Sequence, residues 1–252
     1  MYKFGLIIAI YLRASFAYAQ APAPIHAAEV RYVHTSDWVK MMATLDYLSP
    51  QQKEKMAYTW GNRSTWSSYT SLFFTPEISL YRESDEEFED TGYKWRKEPF
   101  YVRRDFAAGK ISDILTLEGK TWLIEDSLAA PHWRIRNDLK EVAGYLCMNA
   151  VYIDTIKRQT VTAWFAMDIP SRAGPERFWG LPGLILEIDV NEGAIMIVAD
   201  RISPRTPTPQ SLSLPAKVKA KKISESTYLE KLDKHIKDKI KAEEPYFWGI
   251  RY

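Results

Sequence analysis

The spacing of apolar and polar positions along this chain predicts a protein built mainly of strands. Residues 29–35 alternate with a period of two, which sends successive side chains to opposite faces of a first strand. Asp37 follows, where a carboxylate can accept from unpaired backbone N–H groups, and so predicts a helix carrying Trp38, Val39, Met42 and Leu45. Ser49-Pro50 is a second helix start, because Ser accepts from the first turn and Pro suits it; that helix is expected to run to about Tyr58. From Ser64 onward strand formers dominate. Residues 66–74 and 78–81 flank Pro76, residues 84–97 read as a polar, acidic, exposed loop, and residues 100–103 form a short strand. Residues 111–117 and 121–125 around Glu118-Gly119-Lys120 predict a hairpin, since Gly in a short polar break supplies a positive φ.

The second half continues in the same way. Residues 133–137 predict a strand. Residues 142–153 are apolar at nearly every position and predict a central strand covered on both faces, paired with residues 160–167. Residues 184–190 and 194–198 around Asn191-Glu192-Gly193 predict another hairpin, and residues 217–223 a last strand after Pro204, Pro207 and Pro209. The period then becomes helical: Leu229, Leu232, Ile236 and Ile240 make one apolar stripe within residues 226–242. Ser226 or Thr227 is the expected cap, with Glu230 closing a capping box. Short strands joined by brief turns, without the strand–helix alternation of a doubly wound sheet, define the fold class. It is mainly β (α+β), with a single curved antiparallel sheet or half-barrel meander, short N-terminal helices and a C-terminal amphipathic helix.

Composition changes this picture chiefly at the N-terminus. Of the 252 residues, Met1-Tyr2-Lys3 is a basic start, residues 4–12 are apolar, and Ala17-Tyr18-Ala19 is a small-x-small cleavage site. The expectation is a signal peptide over residues 1–19 cleaved after Ala19, a Pro/Ala linker over 20–28, and a single β-rich domain over 29–252. That places the protein in the periplasm or the medium, with no transmembrane segment after signal removal. Loss of Lys3 and Arg13 leaves basic and acidic residues balanced at 32 each. The acidic run 83–90 and the lysine-rich run 217–241 therefore read as solvated faces, and nucleic acid is not an expected partner. Cys147 is the single cysteine, which excludes an internal disulfide and fits a buried thiol.

One stretch stands out: Phe178-Trp179-Gly180-Leu181-Pro182-Gly183-Leu184-Ile185. Gly permits backbone angles other residues avoid, and Pro fixes φ, so Gly-Leu-Pro-Gly reads as a rigid turn feeding the strand that begins at Leu184. Such a turn can set strand register and bury Phe178, Trp179 and Leu181. Alternatively, Trp179, Leu181 and the Ile169-Pro170 loop can line a groove for an apolar ligand or peptide. The stretch resembles the signature of the GLPGLI family, secreted proteins of Bacteroidetes-type bacteria. The block Gly144-Tyr145-Leu146-Cys147-Met148-Asn149-Ala150, the strand Thr162-Ala163-Trp164-Phe165, and the loop residues Ile169-Pro170 and Gly174-Pro175 are similar to that family in the same order. Met148-Asn149 and Phe165 depart from its usual residues. The resemblance is specific from about Leu139 to Ile188 and weaker over 66–126 and the last helix. It implies an envelope context, with a possible partner such as an outer-membrane transport receptor, and carries no established reaction.

Catalytic signals are sparse. The four histidines, His26, His34, His132 and His235, show no metal-ligand spacing, and there is no His-Glu-x-x-His, no Gly-x-Ser-x-Gly elbow and no phosphate loop. His235 is expected on the polar side of the last helix, and His132 is the one histidine in a loop near the sheet. No catalytic residue, metal or cofactor is assigned. The function expected is a non-enzymatic binding or accessory protein of the envelope, taking an apolar small molecule, a peptide or an envelope protein. Two alternatives remain open: an envelope hydrolase acting on a peptide or polymer through His132 and neighbouring acids, and a purely structural partner-binding protein.

Overall fold

A computed structural model describes residues 24–60, 64–88 and 98–251. The expected signal peptide, its cleavage site, the start of the linker and residues 89–97 of the acidic loop lie outside the described residues.

Strand β1 (Ala28–Asp37) leads directly into helix α1 (Trp38–Ala43), followed by α2 (Pro50–Trp60). Asp37 caps α1 as expected, its carboxylate accepting from the N–H groups of Val39 and Lys40. Ser49 and Gln52 exchange hydrogen bonds at the start of α2, a reciprocal cap. Next come β2 (Thr65–Phe74), β3 (Ile78–Glu83), β4 (Tyr101–Asp105), β5 (Lys110–Leu117) and β6 (Lys120–Ser127). The second run comprises β7 (Arg134–Val142), β8 (Tyr145–Asp154), β9 (Gln159–Ala166), β10 (Leu184–Val190) and β11 (Ile195–Ser203). A short β12 (Lys221–Ile223) precedes helix α3 (Glu225–Lys241).

All of these strands belong to one 12-stranded sheet, ordered β12-β6-β5-β4-β3-β2-β1-β11-β10-β9-β8-β7. Two meanders thus meet at its centre, where β1 pairs antiparallel with both β2 and β11. The sheet curls until β5 and β8 face one cavity, where Ile111 and Leu115 stand with Tyr152. It remains open, ending in β12 on one side and β7 on the other. The core lies inside the curl, where Val30, Tyr32, Leu72, Phe74, Phe165 and Ile185 are fully buried.

Five expectations are corrected. The sheet is mixed: β12 runs parallel to β6, because the Pro-rich segment after β11 runs back past β2 and β3, where its single 3-10 turn Gln210–Leu212 packs. Residues 142–153 do not form one strand. Ala143 and Gly144, both at positive φ (51° and 82°), make a two-residue turn between β7 and β8, and an apolar Ala-Gly pair carries no polar mark of a turn. Neither is β8 covered on both faces, since it neighbours the edge strand and leaves Leu146 60% exposed. Finally, α3 starts earlier, with Ser224 as its N-cap accepting from the Thr227 N–H. His235, placed on the polar side of that helix, is instead buried between Glu118 and the carbonyl of Tyr246.

Candidate functional site

The alternation of β1 places Tyr32, His34 and Ser36 on the inner face. Antiparallel register sets Thr70, Ser68 and Trp66 of β2 opposite them. The outer end of this inner face is thus hydroxyl-rich rather than apolar, and a cavity of about 530 Å³ opens over it. Trp38 and Met41 of α1, with Trp66 and Phe100, supply apolar walls. The segment 247–251 supplies another, with Phe247, Trp248 and Arg251. Phe247 packs between Trp38 and Trp248, with ring centroids 5.9 Å and 6.2 Å away. Glu83 and Glu98 also line the cavity. The segment is held by hydrogen bonds from the Glu118 N–H to the Gly249 carbonyl and from the Tyr246 hydroxyl to the Lys157 carbonyl.

Beneath the cavity, Glu176 joins its parts. Glu176 is buried and sits at a positive φ of 53°, in the loop just before the Gly-Leu-Pro-Gly turn. Its carboxylate accepts two hydrogen bonds from the Arg251 guanidinium, at 2.6 and 3.1 Å, and lies 3.9 Å from His34 Nδ1. Arg251 in turn stacks on Phe100, and Phe100 continues through Tyr81 to Tyr32 as a chain of packed rings. Burial, with the Arg251 charge as a second cause, lowers the His34 pKa to about 3, so its imidazole is neutral. Its Nε2 has no hydrogen-bond partner among the described residues.

The signature turn lies within the fold behind this cavity. Leu181 and Ile169 are enclosed, and Trp179 is nearly so. Gly180 adopts a φ of +93°, and its N–H donates to the Arg172 carbonyl. Gly183 packs on backbone: a Cβ there would sit 2.2 Å from the Ala166 carbonyl oxygen. Leu184 and Ile185 begin β10, and the Ile185 carbonyl accepts from the Tyr32 hydroxyl at 2.7 Å. The signature is thereby tied to the strand that carries His34. Leu184 is fully buried, and Pro182 is the exposed member of the turn. Phe178 and Trp179 line a second cavity of about 340 Å³.

That second cavity brings His132 together with Asp154, Glu176 and Glu225. The carboxylates have other partners: Asp154 accepts from the Ile156 and Lys157 N–H groups, Glu176 holds Arg251, and Glu225 pairs with Arg177. Asp113, fully buried, binds both Arg104 and Arg177. Cys147 is also fully buried, and burial, followed by the Glu187 charge, pushes its thiol up to about 11, so it is not a nucleophile at neutral pH. Among the described residues no three His, Cys, Asp or Glu side chains gather as a metal site, and no helix is long and apolar enough to cross a membrane.

Reading the sequence did not single out His34, Glu176 or Arg251. The alternation of β1 does put His34 in line with Val30 and Tyr32, an inward polar residue in an apolar row. Glu176 and Arg251 have no comparable mark.

A family described as a protein of unknown function (Porph_ging) matches residues 154–187, from the end of β8 through β9 and the signature turn into β10. No curated protein matches the sequence. Two solved structures of PNGF-II are similar in fold. That in the C2 space group has a TM-score of 0.52 and 13% identity, covering 81% of this chain and 32% of that one. That in the P21 space group has a TM-score of 0.51 and 14% identity, covering 82% and 33%. This chain therefore spans about a third of that protein, and at such identity the likeness is one of fold.

Proposed function

We propose that this is a non-enzymatic binding protein of the cell envelope, of the GLPGLI type, that holds a small molecule with an apolar body in the half-barrel cavity. One observation carries the reading: a cavity of about 530 Å³, walled by Trp38, Trp66, Phe100, Phe247 and Trp248 over a hydroxyl-bearing floor. That is the size and make-up of a small-molecule site, mostly apolar with a few placed polar groups. Phe178–Ile185 act as scaffold in this reading, since they set the loop carrying Glu176 and fasten β10 to β1. The basic start, apolar run and Ala17-Tyr18-Ala19 support export to the periplasm or the medium. An envelope partner such as an outer-membrane transport receptor would dock along the open edge at β7–β8, where Ile135, Leu139 and Leu146 are exposed.

The test is native mass spectrometry of the protein purified without detergent from its own host. A bound small mass, released on denaturation and absent from a Trp66→Ala variant, is the expected result. Bare wild-type protein from that host would remove the binding reading. A second reading, a hydrolase of peptide or polymer, is favoured by His132 sharing a cavity with carboxylates. It is the weaker of the two, because those carboxylates hold other partners. Peptide or polymer turnover lost in His132→Ala would establish it.

A further inference from the structure

We propose that the half-barrel cavity selects hydroxyl-bearing molecules, alcohols or phenols whose O–H donates to His34 while their apolar body lies on the aromatic walls. This inference rests on the small-molecule reading above and names the head group of the occupant. His34 lines the cavity, and its buried Nε2 has no hydrogen-bond partner among the described residues. A buried polar atom without a partner costs free energy, and a ligand that pairs it recovers that cost.

The surroundings of that nitrogen fix the kind of group it takes. Burial keeps the imidazole neutral, so one ring nitrogen carries a proton and the other a lone pair. Nδ1 lies 3.9 Å from the Glu176 carboxylate, which can only accept, so the proton belongs on Nδ1 and Nε2 is left as an acceptor. The occupant must therefore bring a donor. Hydroxyls surround the same place. Ser68 stands opposite His34 in the register of β1 with β2, and Ser36 follows two residues along the same face. Thr70 Oγ1 accepts from the Tyr81 hydroxyl at 2.8 Å, so its own O–H remains to donate. All three line the cavity. A ligand hydroxyl can donate to Nε2 and accept from such neighbours at once, which an ether oxygen or a hydrocarbon cannot. Trp66, Phe100 and Trp248 then receive the apolar body.

The test is equilibrium dialysis of the native protein, at neutral pH, against 2-naphthol, 2-methoxynaphthalene and naphthalene, which share one ring system and differ in the head group. The naphthol should bind about ten-fold or more tightly than either of the others, although it is the least apolar of the three. His34→Leu removes Nε2 and keeps an apolar side chain in its place. Ser68→Ala removes a neighbouring hydroxyl and serves where the first variant folds poorly. In each, the naphthol preference should fall by about three-fold or more, with naphthalene binding little changed. Equal binding of all three compounds would overturn the hydroxyl preference and leave the binding protein standing. Methoxynaphthalene bound as tightly as the naphthol would overturn the donation to Nε2. Binding of none would also overturn the proposal, and the cargo seen by native mass spectrometry then judges the binding reading separately. A naphthol preference unchanged in both variants would place the hydroxyl elsewhere and overturn the assignment to His34.

Discussion

At the scale of single residues, two positions decide more than their side chains suggest. Gly183 is required for space rather than for φ: a methyl group there would press on the Ala166 carbonyl at 2.2 Å, where the end of β9 and the start of β10 pair. Gly183→Ala should cost about 1–3 kcal/mol, read as a lower melting temperature and lower folded yield; native stability would refute the close-packing account. His34 makes stability depend on acid. Its folded pKa of about 3 lies below the ordinary 6.5, so the unfolded chain takes up the proton first. The stability it contributes is complete above pH 6.5 and falls as pH drops from 6.5 toward 3, by at most about 1.4 kcal/mol per pH unit. Melting curves from pH 7.5 to 4 should show a shallower acid loss in His34→Asn. Identical slopes would assign the loss to other groups. Glu176 and Arg251 face the ring, so both belong in the control set.

At the scale of elements, local sequence rules performed well where the chain punctuates itself and poorly where it does not. The caps at Asp37 and Ser49 were legible because Asp and Ser sit where free N–H groups need an acceptor. The β5–β6 turn was legible because Gly119 supplies a positive φ within a polar break. The β7–β8 turn was not, because Ala143-Gly144 looks like continuous strand. In α3 the capping role fell to Ser224, two residues ahead of Ser226, since both Ser226 and Thr227 lie inside the helix. Ser224→Ala should lower stability by about 1 kcal/mol, whereas Ser226→Ala should change little. Denaturant midpoints of the two variants, compared side by side, decide between these caps, and the reverse order would restore the sequence-based one.

At the scale of the whole molecule, the buried charges join segments far apart in the chain. Asp113 on β5 receives Arg104 from β4 and Arg177 from the loop before the signature, and Arg177 also reaches Glu225 at the start of α3. Removing the carboxylate strands a buried guanidinium, so Asp113→Ala should destabilise by about 3–5 kcal/mol, seen as a large fall in the urea midpoint. A loss below about 1 kcal/mol, the range of exposed pairs, would mean that water or another acid compensates.

What the sequence determined by itself is the part written in short-range patterns: a mainly β chain, its hairpins, its amphipathic last helix, and the rigid turn at Gly180–Gly183. These follow from side-chain period, cap chemistry and the φ that Gly and Pro allow, all of which act within a few residues. The tertiary structure alone decided what long-range pairing creates. It joined the two meanders through β1 and β11, ran β12 parallel to β6, and brought His34, Glu176 and Arg251 to one place from positions more than 70 residues apart. The alternation of β1 marks His34 only as an inward polar residue, and no local pattern marks Glu176 or Arg251, because the contacts among the three exist only once the sheet has curled and the segment 247–251 has closed over it.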